Sequence, residues 1–224
     1  MKKRLLSVLA ALSLVLTLAA PAAWAAVDED TMLETIRVLG ILSGDENGNM
    51  NLSGSVTRAE FVKMMTAAST YKDSVGGSTG ASLFTDVKSG HWASGYIKLA
   101  VEQGWVSGYV DGSFRPDNTI TLEEACTALL RLLGYDSSSL AGSFPDAQLS
   151  KARAVGLLDD LNAVQGQTLT RQDCVTLFYN LLTAENSSGT VYGTTLGYTV
   201  TNGEVDYSSL VTSDTKGPYV ASSG

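Results

Sequence analysis

Apolar residues recur every three to four positions in several stretches of this chain, a spacing that predicts amphipathic α-helices. Residues 93–103 are one such stretch, with Tyr96, Ile97, Ala100 and Val101 on one side. Three more stretches show the same spacing: Phe61, Val62, Met64 and Met65; Ala125, Leu129, Leu130, Leu132 and Leu133; Val175, Leu177, Phe178, Leu181 and Leu182. Each of these helices has an apolar side that must pack against another element.

A helix-start signal of the form Thr-x-x-acid precedes each of these three sets: Thr57 and Glu60, Thr121 and Glu124, Thr170 and Asp173. This spacing predicts a capping box, in which the threonine hydroxyl accepts from a first-turn N–H and the carboxylate accepts from the cap N–H. The third pair has the shorter acid, so we expect a weaker version there. Gly104 follows residues 93–103 at the position of a left-handed C-terminal cap.

The chain repeats itself, because residues 28–70 align with 92–134 without a gap. The matching positions are Gly40 and Gly104, Ser43 and Ser107, Gly44 and Gly108, Met50 and Phe114, Thr57 and Thr121, Glu60 and Glu124. A third copy runs from Phe144 to Asp173 with a shorter loop. One helix pair of this size cannot cover its own apolar side, so three units should pack together.

These patterns predict an all-α fold of three helix-loop-helix units. We place the first unit at residues 26–75, the second at 82–137 and a degenerate third at 142–185. Residues 186–224 are rich in Ser, Thr, Gly and Tyr, and Asn202-Gly203 within an alternating stretch predicts a β-hairpin. We expect a linker with a short hairpin there, or the first strands of a downstream domain truncated at Gly224.

The N-terminus has the plan of a secretory signal peptide, which we expect to comprise residues 1–25. Basic residues 2–4 precede an apolar run to about residue 20, and Ala23-Trp24-Ala25 offers a cleavage site. The alternative is an uncleaved membrane anchor, but the apolar run is short and small residues follow it. After cleavage we expect no contact with the membrane.

The composition is acidic, with a net charge of −8 that includes the basic N-terminus. This charge argues against nucleic acid and anionic lipid as partners. An apolar content of 44% is sufficient for a globular core. Cys126 and Cys174 lie in apolar helical stretches, which favours buried thiols, although a disulfide is permitted in an exported protein. Their surroundings do not indicate zinc.

The second unit closely resembles an S-layer homology repeat. The matching segments are Phe84-Thr85-Asp86-Val87, His91-Trp92-Ala93, Gly104-Trp105-Val106-Ser107-Gly108-Tyr109, Asp111-Gly112-Ser113-Phe114-Arg115-Pro116 and Ile120-Thr121. Thr57-Arg58-Ala59-Glu60 is similar to the helix-opening signature of that family, and the resemblance extends over about residues 28–183. It implies three repeats in a pseudo-threefold α-helical bundle that holds a secreted protein non-covalently at the cell wall or cell surface.

The resemblance also implies a ligand, an anionic secondary cell-wall polysaccharide that often ends in a pyruvylated sugar and binds in grooves between repeats. The arginine of the helix-opening signature is a recurrent ligand contact in that family, which makes Arg58 and Arg171 candidates. Leu122 stands at this position in the second unit, so its groove is in question. The other candidate ligand-binding residues, at matching family positions, are Asp86, Trp92, Gly108, Tyr109 and Asp111.

An arginine at a helix start is chemically suited to a carboxylate, because its fork binds bidentately and the helix N-terminus adds N–H donors. The alternative is that Arg58 pairs with Glu60 or another acid on a solvated surface. We expect Trp105 in the core, whereas Trp92 fits either packing or stacking on a sugar. Asp111 and the following glycine fit turn chemistry, with sugar binding as the alternative.

We expect a binding module rather than an enzyme, with no cofactor or metal. The alternating Asp45, Asn47 and Asn49 begin like a calcium loop, but Met50 and Val56 stand where Gly and Glu are needed. Other surface-layer proteins are a second class of partner, which would make the chain a protein assembly module. A cell-wall glycan hydrolase is the enzyme alternative, and it would need an acid pair such as Glu123-Glu124 or Asp159-Asp160 at catalytic separation.

Overall fold

The computed structural model describes residues 27–75 and 83–208, so the expected signal peptide lies outside the described residues. The described chain is mostly helical with one small sheet. Its elements are α1 (Glu29–Val38), α2 (Arg58–Ala67), α3 (Ser94–Glu102), α4 (Leu122–Leu132), a 3₁₀ turn (Ser137–Ser139), α5 (Asp146–Ala154), α6 (Arg171–Thr183), α7 (Tyr192–Thr195), β1 (Thr199–Thr201) and β2 (Glu204–Asp206). Within these ranges no helix has both the length and the apolar character needed to cross a membrane.

Capping boxes start α2, α4 and α6, as predicted. At α2 the Thr57 hydroxyl accepts from the Glu60 N–H at 3.2 Å, and the Glu60 carboxylate accepts from the Thr57 N–H at 2.8 Å. The box at α6, between Thr170 and Asp173, has the same two distances. The shorter acid therefore does not lengthen the cap bonds, contrary to the expectation of a weaker version.

A glycine in the left-handed region ends the first helix of each unit. Gly40, Gly104 and Gly156 have φ angles of 71°, 72° and 80°, and each follows the C-cap residue of α1, α3 or α5. The chain then turns inward at a buried apolar residue, which in the second unit is Trp105. The predictions of a cap at Gly104 and a core position for Trp105 are confirmed.

The helices that pack most closely come from different units: α2 lies against α3, α4 against α5 and α6 against α1. One shared core results, and Phe61 of α2 contacts Phe178 of α6 with ring centroids 5.2 Å apart. Each unit therefore buries its apolar side against its neighbours, as expected for units that cannot cover this side alone.

Three backbone hydrogen bonds close a ring at the centre. The N–H of Val56 donates to Leu169, the N–H of Leu169 donates to Ile120, and the N–H of Ile120 donates to Val56, each at 3.0 Å. All three residues are buried, and each stands directly before the threonine cap of α2, α4 or α6. The ring links the three cap segments directly, although they are far apart in sequence.

The predicted hairpin forms from β1 and β2, which pair antiparallel around Asn202 and Gly203. Both turn residues have positive φ angles, 53° and 80°, as a tight hairpin turn requires. The hydroxyl of Tyr179 on α6 accepts from the N–H of Val205, which holds the hairpin on the bundle.

The segment between α6 and the hairpin also packs on the bundle and includes a helix, α7, that the sequence pattern did not predict. Tyr192 of α7 is buried, and its hydroxyl donates to the Ala68 carbonyl at 2.9 Å. A four-residue helix is too short for a periodic pattern, so only tertiary contacts of this kind reveal it.

Cys126 and Cys174 are free buried thiols, as the sequence favoured. Burial raises the pKa of Cys126 to about 12 and raises that of Cys174 further. Both side chains therefore remain neutral and serve as small core residues.

Candidate functional site

Arg58 opens α2 and reaches into the loop of the second unit. Its Nε donates to the carbonyl of Phe114 at 3.0 Å, and one Nη donates to the carbonyl of Ser107 at 3.3 Å. The other Nη donates to the Glu124 carboxylate at 3.0 Å. Only 8% of the residue is exposed. Arg58 therefore holds two units together, which sequence reasoning did not predict.

Arg171 makes the equivalent contacts between the third and first units. Its Nε donates to the carbonyl of Met50 at 2.7 Å, and an Nη donates to the carbonyl of Ser43 at 2.6 Å. Met50 and Ser43 match Phe114 and Ser107 in the 64-residue register of the repeats. The two arginines thus play the same structural role at two of the boundaries between units, which we call seams.

Leu122 occupies the corresponding place at the third seam and is fully buried. Its N–H still donates to the Gln167 carbonyl at 3.0 Å, so the backbone contact survives without the guanidinium. The loop that Leu122 contacts is the shorter loop of the third unit. The seam is closed by apolar packing in place of a charge.

Glu124 is the acid that pairs with Arg58. The alternative that Arg58 pairs with an acid is therefore confirmed, but the partner is not Glu60 and Arg58 is buried rather than solvated. Glu60 is engaged in the cap of α2, whereas Glu124 lies across the seam. The same Glu124 oxygen also accepts from the Tyr109 hydroxyl at 2.9 Å. The guanidinium of Arg58 lies 4.9 Å from the centroid of the Tyr109 ring, a cation–π distance. Burial and the bond to Glu124 raise the pKa of Tyr109.

A cavity of about 430 Å³ opens beside this network. All three units line it: Arg58 from the first, the Trp105–Tyr109 segment and α4 from the second, and Phe144 and Gln148 from the third. Two of the predicted ligand-binding residues besides Arg58, Gly108 and Tyr109, lie in its wall. The cavity has the size of a small-ligand site.

Arg131 on α4 is a lining residue that the sequence analysis missed. Its Nε donates to the Ser137 hydroxyl at 3.3 Å, and no carboxylate in the described chain lies within salt-bridge distance of it. It stands two helical turns after Glu124, on the same side of α4. That spacing was the available signal, because residues seven apart on a helix share a face.

Asp86 supports the cavity indirectly. Its two carboxylate oxygens accept from the N–H groups of Phe114 and Arg115 at 2.8 and 2.7 Å, which fixes the loop that Arg58 binds. Burial alone would raise the pKa of Asp86, but these two hydrogen bonds outweigh it, so the pKa is lowered.

Gly108 and Asp111 shape the same loop. A Cβ on Gly108 would lie 2.1 Å from the ring of Phe84, so no side chain fits there. Asp111 accepts from the N–H and hydroxyl of Ser113 and from Arg115, and these bonds lower its pKa to about 2. The turn chemistry expected of Asp111 is present.

Trp92 lies on the surface with 54% of its area exposed, and its ring stacks on His91 at a centroid distance of 5.8 Å. The His91 ring in turn accepts from the N–H of Ala93 before α3. The structure does not bring Trp92 into the cavity that Arg58 lines.

A second cavity, of about 570 Å³, is lined by residues of the first unit, the third unit and the hairpin. Asp159, Asp160 and Asn180 line it, together with Met32 of α1 and the hairpin turn. Burial, and then the neighbouring Asp160, raise the pKa of Asp159. Counted from the cap glycines Gly40 and Gly156, Met32 corresponds to Gln148 of the first cavity. The lining of this cavity has two aspartates and no arginine, whereas that of the first cavity has two arginines and one glutamate.

Residues 83–126 match the S-layer homology domain family. The chain contains an S-layer homology domain. The match covers Asp86, Gly108, Tyr109 and Glu124, and therefore the central wall of the first cavity.

Similar proteins belong to bacterial surfaces. The chain is 30% identical over 213 residues to the "Middle cell wall protein" of Brevibacillus brevis and 32% identical over 215 residues to the "Surface layer protein" of Brevibacillus choshinensis. Each alignment covers 90% of this chain but only 20% and 19% of the relative. The "Cellulosome-anchoring protein" of Acetivibrio thermocellus is 33% identical over 96 residues, which are 41% of this chain and 21% of that protein. The chain thus spans about a fifth of the length of these relatives.

The S-layer homology domain and the relatives together indicate a secreted protein of the cell surface or cell wall. The chain aligns with both Brevibacillus proteins over most of its length, beyond the matched domain.

Proposed function

We propose that this chain anchors an exported protein to the bacterial cell wall by binding an anionic, pyruvylated secondary cell-wall polysaccharide between its repeats. The observation that carries the proposal is the 430 Å³ cavity where Arg58 and Arg131 meet. The S-layer homology domain and a relative named for cellulosome anchoring support a structural role rather than catalysis.

Arg131 is the main charge for an anion in this proposal. Its described hydrogen bond goes to a serine hydroxyl, and Asp136 interacts with it electrostatically without a salt bridge among the described residues. Arg58 is paired with Glu124, and three of its N–H groups donate to described residues. A guanidinium has five N–H groups, which leaves two for a ligand carboxylate. Because Glu124 compensates its charge, Arg58 contributes hydrogen-bond donors at a fixed position rather than a net positive charge.

Binding must be local, because the chain has a net charge of −8 and repels polyanions at long range. A carboxylate bound in the cavity would contact Arg131 and Arg58 directly, and dissolved ions compete with ion pairs at a site that is open to solvent. Added salt should therefore weaken the complex.

The repeats should form a pseudo-threefold bundle with units at residues 26–75, 82–137 and 142–185. The ring through Val56, Ile120 and Leu169 supports this arrangement, as does the equivalence of the contacts of Arg58 and Arg171.

The seams of the bundle should differ in ligand binding. The second cavity, between the first and third units, has an acidic lining and should repel an anionic glycan. The seam of Arg171 retains the arginine and is the second candidate groove, with Trp92 as its candidate aromatic. In the first groove Tyr109 and Gly108 form the wall, while Asp86 and Asp111 hold the loop behind it.

Co-sedimentation of the full chain with purified cell walls tests the proposal. We expect binding that is lost after chemical removal of the wall polysaccharide. Arg131→Gln should weaken binding about tenfold, as loss of a charged hydrogen bond predicts. Lys98→Gln, which removes a surface charge from α3 away from the cavity, is the matched control.

Two other results would contradict the proposal in different ways. Binding that survives glycan removal would indicate a protein partner and an assembly module. Release of soluble sugars over time would indicate a hydrolase.

A further inference from the structure

Gln148 places a buried polar group in the wall of the first cavity. Only 6% of the residue is exposed, and its side-chain oxygen is the one buried side-chain nitrogen or oxygen of the described chain that has no hydrogen-bond partner. Buried amides nearly always have partners. A hydroxyl both donates and accepts, so it would satisfy this amide with either end turned towards the cavity.

Phe144 lies four residues before Gln148 and lines the same cavity. Its side chain is unusual for a large apolar residue, because 60% of its area is exposed. The flat ring of Phe144 can stack on the apolar C–H side of a pyranose. The amide of Gln148 can hydrogen-bond the hydroxyls of the same sugar. Both residues belong to the third unit, whereas the cations come from the first and second.

A comparison of equivalent positions in the three units supports a functional role for the exposed ring of Phe144. Twelve residues before the cap glycine, the three units have Asp28, Trp92 and Phe144. Trp92 and Phe144 are both exposed aromatics, and two seams have the arginines Arg58 and Arg171. The first unit has Asp28 in place of the ring, and its helix α1 lines the acidic cavity through Met32.

We propose that Phe144 and Gln148 form a neutral sugar subsite next to the arginines, in which Phe144 stacks on a pyranose ring and Gln148 hydrogen-bonds a hydroxyl. The inference rests on the proposed function and narrows its ligand. The cavity then recognises a sugar that presents both a carboxylate and a free hydroxyl.

The test is a co-sedimentation titration of the full chain on purified walls. Gln148→Met keeps the side-chain length but removes the hydrogen bonds, and Phe144→Ala removes the ring. We expect each variant to bind about fivefold more weakly, the effect of one lost hydrogen bond or ring contact. Gln148→Glu should bind more weakly still, because its charge repels an anionic glycan.

Matched controls are Gln165→Met and Val164→Ala, two exposed positions outside the cavity. Melting temperatures equal to wild type exclude a purely structural effect. A direct binding titration with small molecules adds specificity: D-glucuronate should bind wild type more tightly than it binds Gln148→Met, whereas cyclohexanecarboxylate, which lacks hydroxyls, should bind both equally.

The outcomes separate the two proposals. If the wild type binds walls and both Gln148→Met and Phe144→Ala bind with the same affinity, the subsite proposal is wrong. The proposed anchoring function would not be contradicted by that result. Failure of the wild type to bind walls, or equal binding to walls without polysaccharide, would overturn both.

Discussion

At the residue scale, Arg58 shows what the sequence could and could not predict. Its place at a helix start was visible, and so was its suitability for an anion. Its burial and its bonds to Ser107, Phe114 and Glu124 were not, because all three lie more than 45 positions away. A pattern of local spacing identifies the capping boxes, whereas a contact across a seam depends on how the units assemble.

Gly108 gives a residue-scale prediction about packing. Gly108→Ala should lower the free energy of unfolding by about 1–3 kcal/mol, because the new Cβ would overlap the Phe84 ring. Urea unfolding measures this change. Gly90→Ala is the control, since nothing lies within 4 Å of its Cβ position. Equal midpoints for the two variants would contradict the assigned contact.

Asp111 gives a pH prediction at the same scale. Its pKa in the folded protein, about 2, is below the ordinary value of 3.8. A lowered pKa stabilises the fold above the ordinary value, and this stability is lost as the pH falls from about 4 to 2. The melting temperature of Asp111→Asn should therefore fall less than that of wild type between pH 4.5 and pH 2.5. An equal fall of the melting temperature in Asp111→Asn and in wild type would contradict the assignment.

At the element scale, the starts and ends of the helices were predictable, because they depend on neighbouring residues. The three capping boxes and the hairpin turn at Asn202 formed as expected. The pairing of the helices was not predictable in the same way. Periodicity shows that α2 needs a partner but does not identify α3, and short elements such as α7 leave no pattern.

Glu60 and Glu124 occupy equivalent positions at the starts of α2 and α4, but they should differ in how much they stabilise the fold. It accepts from the cap of α4, from Arg58 and from Tyr109, whereas Glu60 serves the cap of α2 alone among the described contacts. Glu60→Ala should cost about 1 kcal/mol, as a lost cap does. Glu124→Ala should cost about 3 kcal/mol, because it also leaves Arg58 buried without its partner. Chemical unfolding compares the two, and equal costs would contradict the role of Glu124 across the seam.

At the scale of the whole molecule, the repeats predicted a shared core but not the closed ring at its centre. The repeat alignment identifies equivalent positions, but it does not predict that the backbones of Val56, Ile120 and Leu169 hydrogen-bond one another. The same alignment also hides the difference between seams. The acidic lining near Asp159 and the Phe144 and Gln148 pair become visible only when three units are placed together.

The ring predicts cooperative unfolding. The amides of Val56, Ile120 and Leu169 each depend on a different unit, so breaking one unit opens the ring. Native-state hydrogen exchange should show all three amides exchanging only through global unfolding, with one common free energy. Exchange of one of them at a clearly lower free energy would show that a unit opens independently.

The central claim is that an anionic wall glycan binds between the units, in the cavity of Arg58 and Arg131. The most direct measurement is a nuclear magnetic resonance titration of the full chain with soluble polysaccharide released from the cell walls. The account predicts that the largest shifts lie at Ser107, Gly108 and Tyr109, and that residues at the acidic cavity, such as Gly156, do not move. Shifts centred on the acidic cavity, or no shifts at saturating glycan, would contradict it.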